Sequence, residues 1–166
     1  MQEQIESQLK RLLNDHKQSL YRICKVYAVN PMEPKDLFQE VIIEIWRALP
    51  RYKEDAKLHT WAYTIALRVC SRKKAQYDKK DNLRLNALTV IPVSLPQEDE
   101  VQERTKALYQ CIGHLAEKER QLIILHLEGL AYRDMASVSG ITENHVAVKM
   151  KRIRKKLLAC LTPKSK

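Results

Sequence analysis

Turn-forming residues are scarce in this chain of 166 residues, which has three glycines and six prolines in all. That scarcity argues against a β-rich fold and against a disordered protein. No apolar run reaches the length of a membrane span, and residues 1–30 are charged throughout. Neither a signal peptide nor a transmembrane helix is expected, and the chain reads as cytoplasmic. The four cysteines, Cys24, Cys70, Cys111 and Cys160, stand far apart without a C-x-x-C pair. Neither zinc nor a disulfide framework is suggested; four small buried apolar groups in a reducing compartment are expected. Glycine-rich phosphate loops, metal-ligand spacings and nucleophile motifs are missing too, and the five histidines are scattered. No enzyme activity, no cofactor and no metal are therefore expected. Acidic residues are outnumbered 20 to 30, leaving a formal charge of +10. A partner of opposite sign follows, nucleic acid before a membrane surface.

The most informative stretch runs from Leu130 to Lys156. It reads as two short helices around a tight turn. Gly140 supplies the left-handed backbone, and Thr142 is the natural N-cap of the second helix. Ala136 falls where two helix backbones approach, with Val146 facing it; Met135, Val138 and Ile141 complete an apolar wedge. This is the spacing of a DNA-binding helix-turn-helix. Along the second helix Val146, Met150, Ile153 and Leu157 form one apolar stripe. Asn144, Val148, Lys151 and Lys155 point the other way, with His145, Lys149, Arg152, Arg154 and Lys156 on the flanks. Basic helices are often merely solvated, but joined to the Ala–Gly–Val spacing this one suits a groove walled by phosphates. An outward Val148 suits a thymine methyl.

Upstream, helical periodicity covers residues 3–28 as one helix, or two with a break near Asn14, ended by Pro31 and Pro34. A helix from about Lys35 to Leu49 buries Leu37, Phe38, Val41, Ile42, Ile45 and Leu49. Its far side carries Asp36, Gln39, Glu40, Ile43 and Arg47, either an ordinary solvated face or a protein-contact surface with an apolar centre and charged rim. After a polar loop, a helix from Leu58 to about Gln76 buries Leu58, Ala62, Ile65, Ala66 and Val69. Trp61 and Tyr63 lie at its edges, near Thr64, Arg68, Arg72 and Lys73. Aromatics among cations suit single-stranded nucleic acid, although half-buried core rings with wet tips are the plainer reading. Residues 78–100, with two prolines and an acidic run, read as a linker. Helices from Val101 and from Glu117 to Glu128 then lead into the helix-turn-helix, and the tail after Leu161 is expected to fray.

Two segments, in this order, resemble a known family. DLFQEVIIEIWRALPRYKEDAKLHTWAYTIALRV, Asp36 to Val69, and LAEKERQLIILHLEGLAYRDMASVSGITENHVAVKMKRIRKKL, Leu115 to Leu157, are similar to the two conserved domains of the small extracytoplasmic-function (ECF) sigma factors of bacterial RNA polymerase. The resemblance implies an all-α fold of two small helical domains: region 2 over 1–77, a linker over 78–100, and region 4 with the helix-turn-helix over 101–162. It implies that Asp36, Gln39, Glu40, Ile43 and Arg47 meet the clamp helices of the polymerase largest subunit. Tyr52, Lys53, Trp61, Tyr63, Thr64, Arg68, Arg72 and Lys73 would lie near the melted minus-ten strand. Thr142, Glu143, Asn144, His145, Val148, Lys149, Lys151, Arg152 and Arg154 would enter the major groove of the minus-thirty-five element, with the polymerase flap on the domain's other side. Core RNA polymerase, promoter DNA and an anti-sigma factor are the implied partners of a chain that is monomeric when free. Ser139 stands where the family usually has leucine and Arg68 where asparagine is common. Arg72, Lys73 and the Glu143–His145 run also depart from the family pattern. The alternative is a stand-alone dimeric helix-turn-helix regulator, which two-fold half-sites would mark; a small nuclease would need clustered metal-binding carboxylates.

Overall fold

A computed structural model describes residues 2–28, 32–84 and 100–162. These residues are helical, with no strand among them. The helices are α1 (Gln2–Tyr27), α2 (Pro34–Ala48), α3 (Leu58–Arg84), α4 (Glu100–Gly113), α5 (Glu117–Leu127), α6 (Tyr132–Ser139) and α7 (Glu143–Leu161), with one 3₁₀ turn at Leu49–Arg51. Most of the expected linker, 85–99, lies outside the described residues, as does the tail beyond Thr162.

The first helix is continuous through Asn14, burying Leu12, Leu20, Ile23, Cys24 and Tyr27 along one side. Pro34 starts α2, where its missing N–H costs nothing. Pro50 ends it, because a proline cannot donate into the helix, and the chain tightens into the 3₁₀ turn. Helices α1, α2 and α3 then pack mutually, with Leu37, Val41, Ile45 and Leu49 of the second unit against Ala62, Ile65, Ala66 and Val69 of the third. The third helix runs on to Arg84, eight residues beyond the end expected from periodicity.

The remaining helices form a second bundle in which α7 packs on α4, α5 and α6. Gly129, at φ +89°, ends α5 in a left-handed turn: its N–H bonds to His126 and that of Leu130 to Leu125, closing the helix's free carbonyls. Leu127, in the last turn of α5, is left 48% exposed. Arg120 is the buried cation here. Its guanidinium donates to the carbonyls of Gly113 (2.8 Å) and Leu115 (2.9 Å) at the end of α4, and to Glu117.

The cysteines correct the expectation in part. Cys24 and Cys70 are free and buried, their sulfurs 4.0 Å apart between α1 and α3. Cys111 and Cys160, 49 residues apart, form a disulfide that fastens α4 to the last turns of α7. Sequence spacing points to it only faintly, because the fold rather than local sequence brings the two helices together.

The two bundles also meet, α1 on α4 and α3 on α5 and α6, and the buried side chains of both halves join one continuous cluster.

Candidate nucleic-acid interface

The helix-turn-helix has the geometry its residues call for. Gly140 caps α6 at φ +70°, a backbone that L side chains adopt only under strain. Thr142 caps α7, its hydroxyl accepting from the His145 N–H at 3.1 Å. Val146, Met150, Ile153 and Leu157 are all buried, fixing the rotation of α7 about its axis. Burial of side chains this size contributes about 1.5–3 kcal/mol each, so the opposite face is held outward firmly. That face carries Thr142, Glu143, Asn144, His145, Lys151 and Arg152, all exposed, around a Val148 that is 53% exposed. Lys149 is half-buried on its flank. Arg154 is tied down, its guanidinium donating to the Tyr132 hydroxyl at 3.2 Å and lying 3.4 Å from His126. Lys156 is paired with Glu119 at 2.9 Å. Lys151 and Arg152 have no ion pair among the described residues and stay available for phosphates.

A second site lies in the first bundle. Arg51, Ala56, Trp61, Thr64, Arg68 and Arg72 line a cavity of about 490 Å³ between the 3₁₀ turn, the following loop and α3. Glu44 and Ala48 of α2, Thr60, Ile65 and Val69 of α3, and Ser137 and Val138 of α6 also line it. The Tyr52 ring packs on Trp61, centroids 4.9 Å apart, and its hydroxyl donates to the Ala56 carbonyl, which ties the loop down. Burial raises the Tyr52 hydroxyl above its ordinary pKa, keeping it a neutral donor. Glu54 turns the loop tip with a left-handed φ of +61°. Thr64 hydrogen-bonds the Thr60 carbonyl at 3.1 Å. The result is an aromatic wall facing three guanidinium groups and one carboxylate, an arrangement suited to a stacked base with its phosphate.

Of the residues expected at single-stranded DNA, the fold gathers Trp61, Thr64, Arg68 and Arg72 in this cavity, with Tyr52 and Lys53 on its loop. Lys73 stands apart, 3.9 Å from Glu40, bridging α3 to α2. Tyr63 is a correction: it is 1% exposed, with its hydroxyl 3.2 Å from His16 Nδ1, and cannot meet a strand of DNA. The reason is that α3 is covered on that side by α1, where His16 and His59 stack at 4.5 Å. Arg51, Ser137 and Val138 were missed. The first sits in a turn without periodicity, and the other two lie some seventy residues away in sequence.

On α2, Asp36, Gln39, Ile43 and Arg47 are exposed, and Glu40 is half-buried. Ile43 at 44% and Trp46 at 36% exposure form an apolar centre with the Glu44–Arg47 pair (3.5 Å) beside it. Among the described residues, no helix is long and apolar enough to cross a membrane.

The family models for sigma-70 region 2 and sigma-70 region 4 match residues 12–80 and 105–157 respectively, and together these spans take in most of the chain. Among solved structures, the chain is similar to the sigma factor RpoE from Bartonella quintana, crystallised with the anti-sigma factor NepR. Identity is 20%, coverage is 92% of this chain and 95% of that one, and the TM-score is 0.66. It is also similar to CnrH, solved in complex with the cytosolic domain of CnrY, at 18% identity and a TM-score of 0.67, covering 92% of this chain and 86% of that one. At such identities the likeness speaks for the fold. No curated protein matches the chain. With region 2 and region 4 matched in the expected order, and helices that place an aromatic–arginine cavity beside the first and a helix with a basic outer face in the second, the chain belongs to the sigma-70 family and is an RNA polymerase sigma factor.

Proposed function

We propose that residues 1–77 act as the polymerase-binding and minus-ten domain, 78–100 as the linker, and 101–162 as the minus-thirty-five domain. The protein would act in the cytoplasm by binding, without catalysis. The α2 face of Asp36, Gln39, Glu40, Ile43 and Arg47 meets the clamp helices of core RNA polymerase, with Trp46 adjoining. Tyr52, Lys53, Trp61, Thr64, Arg68, Arg72 and Lys73 hold the melted minus-ten strand. Thr142 to Arg154 enter the minus-thirty-five major groove while the other side of that domain meets the flap. RpoE and CnrH were both solved with protein partners, one of them named an anti-sigma factor, which supports an anti-sigma factor as a further partner here.

The observation that carries this reading is the cavity of about 490 Å³ lined by Trp61 together with Arg51, Arg68 and Arg72. Capture of an unstacked base offsets an unstacking cost of roughly a few kcal/mol. Recognition-helix contacts supply sequence preference, about 1–3 kcal/mol for each good one. Run-off transcription with core polymerase on genomic fragments tests the whole, and two substitutions separate its parts. Arg152→Ala should weaken duplex binding and spare polymerase binding; Ile43→Asp should do the reverse. Equal loss of both activities in each folded variant would overturn the map.

A further inference from the structure

The Arg154 guanidinium is held in place before any partner arrives. Its Nη2 donates to the Tyr132 hydroxyl at 3.2 Å and lies 3.4 Å from Nε2 of His126. A guanidinium has no acceptor, so both partners accept. The His126 contact is near the limit of a hydrogen bond, which makes the Tyr132 bond the firmer one. The two rings, with centroids 6.0 Å apart, come from different helices: His126 from the last turn of α5, Tyr132 from the first residue of α6. Arg154 itself is exposed, and its Nε and Nη1 are unengaged among the described residues. On α7 it lies three residues beyond Lys151, at the edge of the outward face that borders α6.

We infer that Tyr132, assisted by His126, is a positioning residue for duplex DNA: it holds Arg154 so that Nε and Nη1 address a backbone phosphate. The inference rests on reading α7 as the helix that enters the major groove. In a helix-turn-helix the first helix crosses the backbone of the duplex while the second lies in the groove. A cation fastened to the first residue of that crossing helix is therefore set at the phosphate wall of the groove, away from the base edges. Arginine has a long stem with many rotamers, and ordering it on contact with DNA costs affinity. Here folding has already done much of that ordering. The guanidinium is planar, so a fixed Nη2 also directs the N–H groups on the other two nitrogens. Lys151 and Arg152, without an ion pair among the described residues, lack this preparation. The hydroxyl is the decisive atom group, because Tyr132→Phe keeps the ring and removes the acceptor alone.

The test titrates the full-length chain onto a short fluorescein-labelled duplex of mixed sequence at several salt concentrations. Phosphate contacts carry no base sequence, so no promoter is needed. The variants are Tyr132→Phe, Arg154→Lys, Arg154→Gln, and Tyr132→Phe combined with Arg154→Gln. Helical content and melting are recorded for all, and affinities are taken well below the lowest melting point. Arg154→Gln should make the plot of log affinity against log salt shallower by about 0.9, the loss of one phosphate contact. Tyr132→Phe should keep the parent slope and weaken binding about two- to tenfold, the cost of ordering one long side chain. Arg154→Lys keeps the charge without the fork and should match Tyr132→Phe. On the Arg154→Gln background, Tyr132→Phe should change nothing further. An unchanged slope in Arg154→Gln overturns the inference and removes Arg154 from the proposed DNA contacts. A slope that falls, with Tyr132→Phe neutral on the parent or equally harmful on the Arg154→Gln background, keeps Arg154 at the DNA and overturns Tyr132 as its positioning residue.

Discussion

Arg120→Met should cost the C-terminal bundle about 3 kcal/mol, and the figure can be worked from the contacts. Arg120 is 7% exposed, and the carbonyls it serves lie at the end of α4, where a helix leaves its last acceptors without internal partners, and in the turn that follows. Its bonds to Gly113 and Leu115, at 2.8 and 2.9 Å, are well formed; that to Ile112, at 3.4 Å, is near the limit and is given no weight. Each good bond from a charged donor contributes about 1.5 kcal/mol at the low end of its range, which gives about 3 kcal/mol for the two. Methionine keeps much of the apolar stem, so little is added for lost packing. The bond to Glu117 is left out of the sum because Glu117 retains Tyr27 and Gln121 as donors.

A domain of this size loses roughly 4–8 °C in melting temperature per kcal/mol, so the variant should melt roughly 12–24 °C lower. Urea unfolding followed by circular dichroism measures the loss directly. Arg120→Lys keeps the charge without the fork and should recover only a minor part of it. If Arg120→Met melts within about 3 °C of the parent, a loss under about 1 kcal/mol on the same scale, the guanidinium is not what closes the end of α4.

Cys160→Ser removes the closure of a 49-residue loop, for which chain entropy gives about 4 kcal/mol. A thiol reductant should lower the melting temperature of the parent and leave that of the variant unchanged. Gly140→Ala meets no atom within 4 Å but must hold φ +70°, costing about 1–2 kcal/mol; chemical denaturation should show that loss with the helical content intact. Burial, then His16 and Lys57, hold the His59 pKa below its ordinary value against the pull of Asp134. The folded state therefore prefers the neutral ring, and its stabilisation is complete above about pH 6.5 and falls as acid drops below that value. His59→Gln should flatten the acid limb of a melting-temperature profile taken from neutral pH to about pH 5.

The helix-turn-helix was legible because its determinants are local. Gly140 sets the turn, Thr142 caps the next helix, and the Val146 stripe needs one buried side only. The outer face of α2 was legible for the same reason: its inner side packs on α1 and α3, and periodicity separates the two faces. Periodicity failed on α3. Neighbours cover that helix on more than one side, so Tyr63 and Leu67 are buried beyond the arc that a half-exposed helix would show. A ring among cations reads alike in sequence whether it faces DNA or another helix, and only α1, with His16, decides the matter for Tyr63. The disulfide had a faint signal. Cys160 continues the heptad spacing of Ile153 on α7, and Cys111 adjoins Ile112 on α4. Reading it requires knowing that α4 and α7 face each other.

Where the large apolar side chains remain exposed argues for function independently of any motif. Ile43 and Trp46 lie together on α2, Val148 lies on the outward face of α7, and Leu158 and Leu161 end that helix. None of these positions closes the core, so a polar residue at each would leave the fold's burial intact and favour solubility. Scattered single exposures need no account, but paired ones on a helix face bordered by an ion pair resemble the centre and rim of a contact surface. The cavity makes the converse case. Arg51, Arg68 and Arg72 are brought around Trp61 with a single carboxylate, Glu44, in the lining, so the site gathers positive charge that folding alone would have dispersed. An apolar surface outside the core and an excess of cations around an aromatic ring are both costs to the isolated chain, and the proposed protein partner on the first and nucleic acid in the second would offset them.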